Sequence, residues 1–111
     1  MTEDLIIYQK VYDLILYAFP ILNRFPKNQR FVLAQQIQNS MLEIQKKIVE
    51  ANKLRNRRRL QFEIDIELDK LKLLIRLSKD LKLIDVKKYE QFTIRLTEIG
   101  RLLGGWMRSS T

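Results

Sequence analysis

The sequence predicts an all-α protein, a single up-down-up-down antiparallel four-helix bundle over residues 1–111. Three observations carry this prediction. Apolar residues recur at intervals of three and four along four successive stretches, the repeat of a helix face. The chain holds only 3 glycines and 2 prolines, too few for a many-stranded β fold, which needs turn chemistry about every 8–12 residues. Apolar residues make up 46% of its 111 residues, enough for one buried core but not for two domains.

The first helix is expected over residues 4–25. Leu5, Tyr8, Tyr12, Ile15, Phe19 and Leu22 form a stripe along it. Pro20 removes one backbone hydrogen bond and crowds the preceding turn, which predicts a kink near residues 16–20. Pro26 marks the first connection. A second helix follows over 27–53, with Ala34, Ile37, Met41, Ile44, Ile48 and Ala51 in step. The third is expected over 59–82, with Ile64, Leu68, Leu71, Leu74, Ile75 and Leu81. Asp85 is placed to accept from a free amide in the first turn of a fourth helix, over 86–107. There Tyr89, Phe92, Leu96, Ile99, Leu103 and Trp106 repeat the rhythm. Such helices are about 30–40 Å long, and short links make successive ones antiparallel.

The first and third helices are more apolar than one buried face requires. Ile6, Ile7, Val11, Leu14, Leu16 and Ile21 reach round the first; Phe62, Ile66, Leu73 and Leu77 reach round the third. Surplus apolar faces predict a homo-oligomer, with a wide monomeric core as the alternative.

The sequence offers little to an enzyme. It contains no histidine and no cysteine, which removes the commonest general base, the commonest metal ligand and all thiolate chemistry. No phosphate-binding glycine motif is present. Glu63, Asp65, Glu67 and Asp69 are the densest acidic set, but a spacing of two scatters them round a helix. Negative charge in the first turns of the third helix would suit its dipole. No catalytic residue, metal site or cofactor is therefore expected. The acidic start MTEDL and the short apolar runs predict neither signal peptide nor membrane span. The lack of cysteine is compatible with the cytoplasm.

The charge is informative. The chain carries a net +8, which suggests a polyanionic partner, solubility being the plainer alternative. Lys46, Lys47, Lys53, Arg55, Arg57, Arg58 and Arg59 stand against one acid, Glu50, so this window holds +6 of the +8. Basic groups at a helix C-terminus are favourable in themselves, but that does not account for the run NRRR. An arginine-rich bundle end would contact phosphates of RNA or DNA, with little sequence reading. Lys79, Lys82, Lys87 and Lys88 form a second, weaker patch. The two sets belong to successive links, which an antiparallel bundle puts at opposite ends.

All three glycines fall in IGRLLGGW, Ile99 to Trp106. Gly100 and Gly104 share a helix face beside the Trp106 stripe, which suggests close approach of a neighbouring helix and a role in packing or assembly. Gly105 would serve the helix ending.

These residues carry a resemblance. YAFPILNRFPKNQRF (Tyr17–Phe31), LLIRLSKDLKLI with the following Asp-Val-Lys-Lys-Tyr-Glu, and EIGRLLGGW (Glu98–Trp106) resemble the accessory variability determinant proteins of diversity-generating retroelements. These lie within a four-helix-bundle superfamily that includes proteins of ribosomal-RNA intervening sequences. The most specific match is Ile99, Gly100, Arg101, Leu103, Gly104 and Trp106, followed by Pro20, Pro26 and Lys27. The resemblance implies a basic homopentameric barrel that binds the element's reverse transcriptase, associates with nucleic acid, and supports mutagenic retrohoming without chemistry of its own. The intervening-sequence branch and a purely structural or protein-interaction bundle remain the alternatives.

Overall fold

The computed structural model describes residues 3–110. The domain limits drawn at residues 1 and 111, and the first residues of MTEDL, lie outside them. Four helices span these residues: α1 (Glu3–Leu22), a composite α2, α3 (Arg58–Asp80) and α4 (Val86–Ser109). Three pieces run end to end as α2: a turn at Lys27–Gln29, a π-helical stretch at Arg30–Ala34, and Gln35–Lys53. Each helix packs on two neighbours in the cyclic order α1, α2, α3, α4 and back to α1. That is the up-down-up-down bundle, 43 × 24 × 20 Å in extent, its long axis set by helix length.

The core is a continuous apolar cluster with Phe92 and Trp106 among its largest fully buried side chains. The expected inward residues of α2 hold, as do Ile64, Leu68, Leu71 and Ile75 of α3. In α1 the inward stripe is different from the one expected. Ile7, Val11, Leu14, Ala18 and Leu22 are buried, whereas Leu5, Tyr8 and Tyr12 face outward. The reason is that α1 is apolar nearly all round, so spacing alone does not select a face. The choice falls to the residues that fit closely against α2 and α4. On α3, Leu81 is likewise exposed, because the helix has already ended.

Two helices end earlier than expected, while α4 runs past 107 to Ser109. α1 continues through Pro20 but stops at Leu22 and not at 25. Pro26 disfavours helical geometry at the residue before it. Residues 23–25 instead form a turn, with the amides of Arg24 and Phe25 donating to Ile21 and Leu22, and Phe25 folds into the core. α3 stops at Asp80 and not at 82 because Lys82 is left-handed, with φ of 63°. The Lys82 amide donates to Lys79 and that of Leu83 to Ser78, a two-bond closure that usually has glycine at its left-handed position. Lys82→Gly should therefore stabilise the fold by about 1 kcal/mol, read as a higher urea midpoint with an unchanged slope.

The π-helical stretch has no signature in the apolar spacing. The Gln35 amide donates to the Arg30 carbonyl, one residue beyond the α-helical partner. The wide turn buries Leu33 and Ala34 while turning Phe31 and Val32 out to solvent.

Asp85 caps α4 as expected: its carboxylate accepts from the Lys88 amide at 2.8 Å. That backbone hydrogen bond, aided by the nearby Lys88 and Lys87 charges, holds the carboxyl below the usual aspartate range. The cap's contribution is accordingly complete above the unfolded carboxyl's pKa and is lost as the pH falls through the depressed folded value.

Candidate nucleic-acid interface

The antiparallel order brings the N-termini of α1 and α3 and the C-termini of α2 and α4 to one end. The link Leu54–Arg57 crosses this end. Its backbone is held locally: Arg57 Nε donates to the Leu54 carbonyl at 2.9 Å, and the Asn56 side chain accepts from the Arg58 amide at 3.3 Å. Between this link and the end of α4 lies a cleft of about 500 Å³, lined by Arg55, Arg57, Arg58 and Arg108 with Phe62 and Met107. No carboxylate is among the described residues that line it.

The seven basic residues of the sequence window separate into two groups. Lys46 pairs with Glu43 at 3.0 Å, Lys47 with Glu63 at 3.8 Å, and Arg59 with Glu63 at 2.6 Å. Each has an acidic partner on the bundle wall, Glu63 serving two of them. Among the described residues, Lys53, Arg55, Arg57 and Arg58 form no ion pair. Arg57 and Arg58 open α3, whose first turn contains no acid. Positive groups there oppose the positive pole of the helix dipole. An anion seated at this end removes that opposition and gains the exposed amides besides.

The acidic set does not lie in the first turn of α3, which corrects the expected dipole role. Glu63 is the sixth residue of the helix, and these acids work through side-chain contacts instead, across to α2 and along α3. Glu63 serves Lys47 and Arg59, Glu67 accepts from the Ser40 hydroxyl at 3.1 Å, and Asp69 lies 4.0 Å from Lys72. Among the described residues no group of three or more acidic side chains is placed to hold a metal ion.

The second patch does lie at the opposite end. It is larger than the sequence window suggested, because the α1–α2 connection adds Arg24 and the start of α2 adds Lys27 and Arg30. Arg24, Lys79, Lys82 and Lys88 line an open hollow of about 910 Å³ with Tyr89. Asp85 and Glu90 line it too. Lys88 pairs with Asp85 at 3.3 Å, and Lys79 pairs with Asp80 at 3.6 Å while lying over the Tyr89 ring at 4.8 Å. Lys87 is exposed at the start of α4. This hollow is mixed in charge, whereas the described residues that line the Arg55–Arg58 cleft include no acid.

The glycines behave differently from expectation. None has a positive φ. A Cβ at Gly100 would meet the Leu68 side chain at 3.6 Å, an ordinary contact, and one at Gly104 or Gly105 would meet only the Arg108 guanidinium. No neighbouring helix backbone approaches them, so close packing within the chain is not their role. Gly105 does not end α4, which runs on to Ser109. Trp106 is buried in the core.

Two apolar faces point outward. Leu5, Tyr8, Tyr12 and Leu16 line α1, with the two tyrosine rings stacked at 6.4 Å. Gln45 of α2 donates to the Tyr8 carbonyl at 3.2 Å, which brings the exposed Leu42 and Val49 alongside. Phe62, Ile66, Leu73 and Leu77 run down the outer side of α3, with Leu73 64% exposed. α1 and α3 are diagonal in the bundle, so these faces look in opposite directions. Asp4–Leu22 is also long and apolar enough, by length and composition, to cross a membrane. Counting uninterrupted apolar runs did not reveal this, because isolated polar residues divide a helix that is apolar on average.

Sequence arithmetic did not find Arg108 or Phe62. Arg108 stands some 50 residues from the arginine run, and only the shared end of α3 and α4 unites them.

A crystal structure of a protein of unknown function from the S23 ribosomal protein family of Bacteroides thetaiotaomicron has the same fold. It aligns with a TM-score of 0.86 at 21% identity, covering 96% of this chain and 99% of that one. No curated protein matches the chain. The bAvd-like family model matches residues 5–110, nearly every residue that builds the bundle. The chain belongs to the bAvd-like family.

Proposed function

We propose that this chain is a non-enzymatic accessory protein of a diversity-generating retroelement. It acts in the cytoplasm as a basic scaffold that binds the element's reverse transcriptase and template RNA and so supports mutagenic retrohoming; no membrane enters this role. Membership of the bAvd-like family over residues 5–110 carries the reading. The arginine cleft supports it, because phosphates are bound by clustered guanidinium groups without sequence reading. The polymerase supplies the chemistry.

The scaffold assembles with copies of itself, as a homopentameric ring. Its outward faces on α1 and α3 differ in composition and lie on opposite sides of the bundle. One copy's α1 face meets the next copy's α3 stripe, a head-to-tail contact that closes into a ring when the rotation allows. Between Ile66 and Leu77 the α3 stripe is about 17 Å long, the length of the α1 face from Leu5 to Leu16.

Co-expression tests the function. A tagged copy should retain the reverse transcriptase encoded beside it and bind RNA with an affinity that falls steeply as salt rises. Indifference to both at low salt would end this reading and leave a purely structural bundle. The S23 family name of the solved neighbour favours a second reading, a protein of the ribosomal-RNA intervening-sequence type. A reverse transcriptase gene and a repeat pair flanking this one would decide against it.

A further inference from the structure

We infer that the arginine cleft takes single-stranded nucleic acid, with one unpaired base laid on the Phe62 ring and flanking phosphates on Arg55, Arg57, Arg58 and Arg108. This rests on the polyanion reading of the same end and adds the kind of strand. Phe62 is 49% exposed and forms a wall of the cleft. A phenyl ring cannot hydrogen-bond a base edge; it offers a flat apolar face, and every base has one of its own. Arg58 stands one helical turn before Phe62 on the same side of α3, so its guanidinium and the ring flank a single slot. In a duplex the bases stay stacked inside and present only phosphates to this end.

The slot is preformed. Buried Gln61 donates from Nε2 to the Ser110 hydroxyl at 3.0 Å, and that hydroxyl donates to the Trp106 carbonyl at 2.8 Å. These bonds tie the start of α3 to the end of α4 beneath the cleft. The Arg108 guanidinium reaches back along this last turn, within ordinary contact range, 3.5 and 3.9 Å, of where a Cβ on Gly104 or Gly105 would stand.

Binding of a short oligouridine strand and of an RNA hairpin stem of equal charge, followed by fluorescence anisotropy, tests this. The parent should prefer the single strand. Phe62→Leu keeps the apolar bulk and removes the ring. It should weaken oligouridine binding about five- to a hundredfold with no change in the stem's affinity or in either salt slope, while Phe62→Trp should bind oligouridine at least as well as the parent. Light scattering on Phe62→Leu should give the parent mass, which separates the base contact from any part Phe62 has in assembly. Unchanged oligouridine binding by Phe62→Leu, an equal loss for strand and stem, or displacement of oligouridine by polyglutamate at equal charge would overturn the inference. Loss of binding on neutralising the cleft arginines, with Phe62→Leu silent, would leave the electrostatic reading standing alone; silence of both would remove the two together.

Discussion

Replacing Arg55, Arg57, Arg58 and Arg108 together with glutamine should lower RNA affinity at least tenfold near 0.1 M salt. It should also flatten the dependence of log affinity on log salt by about 3. Each phosphate of a single strand that goes unneutralised takes roughly 0.7 from that slope, and four arginines line the cleft in each copy. The fold should survive. None of these side chains belongs to the buried core, and removing Arg57 and Arg58 relieves positive charge at the positive end of α3. Arg59→Gln is the internal control, since Arg59 is held by Glu63 at 2.6 Å and lies on the wall. It should change affinity little. If the fourfold variant bound like the parent with the same slope, the contact would lie at the opposite end, on Arg24, Lys27, Arg30, Lys82 and Lys87.

The second large effect concerns assembly. Ile66→Lys with Leu73→Lys should reduce the solution mass to that of a single chain, 13.4 kDa, without lowering the melting temperature of that chain. Both side chains are more than half exposed, so lysine there costs the isolated bundle nothing. In a subunit interface, burying each is worth about 1.5–3 kcal/mol. Losing two therefore weakens each interface by roughly a hundredfold or more. Tyr8→Lys with Tyr12→Lys should act equally from the α1 side. Mixing the two blocked variants then discriminates geometry. In a head-to-tail arrangement each retains the face that the other lacks, so the mixture should form a dimer and stop. If like faces paired with like, a variant would still dimerise through its intact face and mixing would change nothing. A monomeric parent would remove the assembly altogether.

Some of this was readable from the chain and some was not. In α2 the polar and apolar residues alternate cleanly, and the inward set Ile37, Met41, Ile44 and Ile48 is where the spacing puts it. In α1 polar residues are so few that two stripes compete, and the wrong one looked inward. Asp85 was legible because a cap is a local matter, three residues from carboxylate to amide. The left-handed Lys82 was not, since nothing but tertiary closure forces a lysine into a conformation that glycine adopts freely. The glycines marked the family correctly but pointed to the wrong neighbour. Spacing shows which residues share a face and is silent on what that face meets.

The sequence by itself determined the four amphipathic segments, the surplus apolar faces, the concentration of positive charge in one link and the membership of the family. All of these are properties of local order, set by the helical repeat and by residue type. The tertiary structure alone decided which face of α1 is buried, and which basic residues are neutralised by Glu43 and Glu63. It also joined Phe62 and Arg108 to the arginine link. These depend on which side chains from distant segments meet at one end of the bundle, and packing settles that only when all four helices are in place.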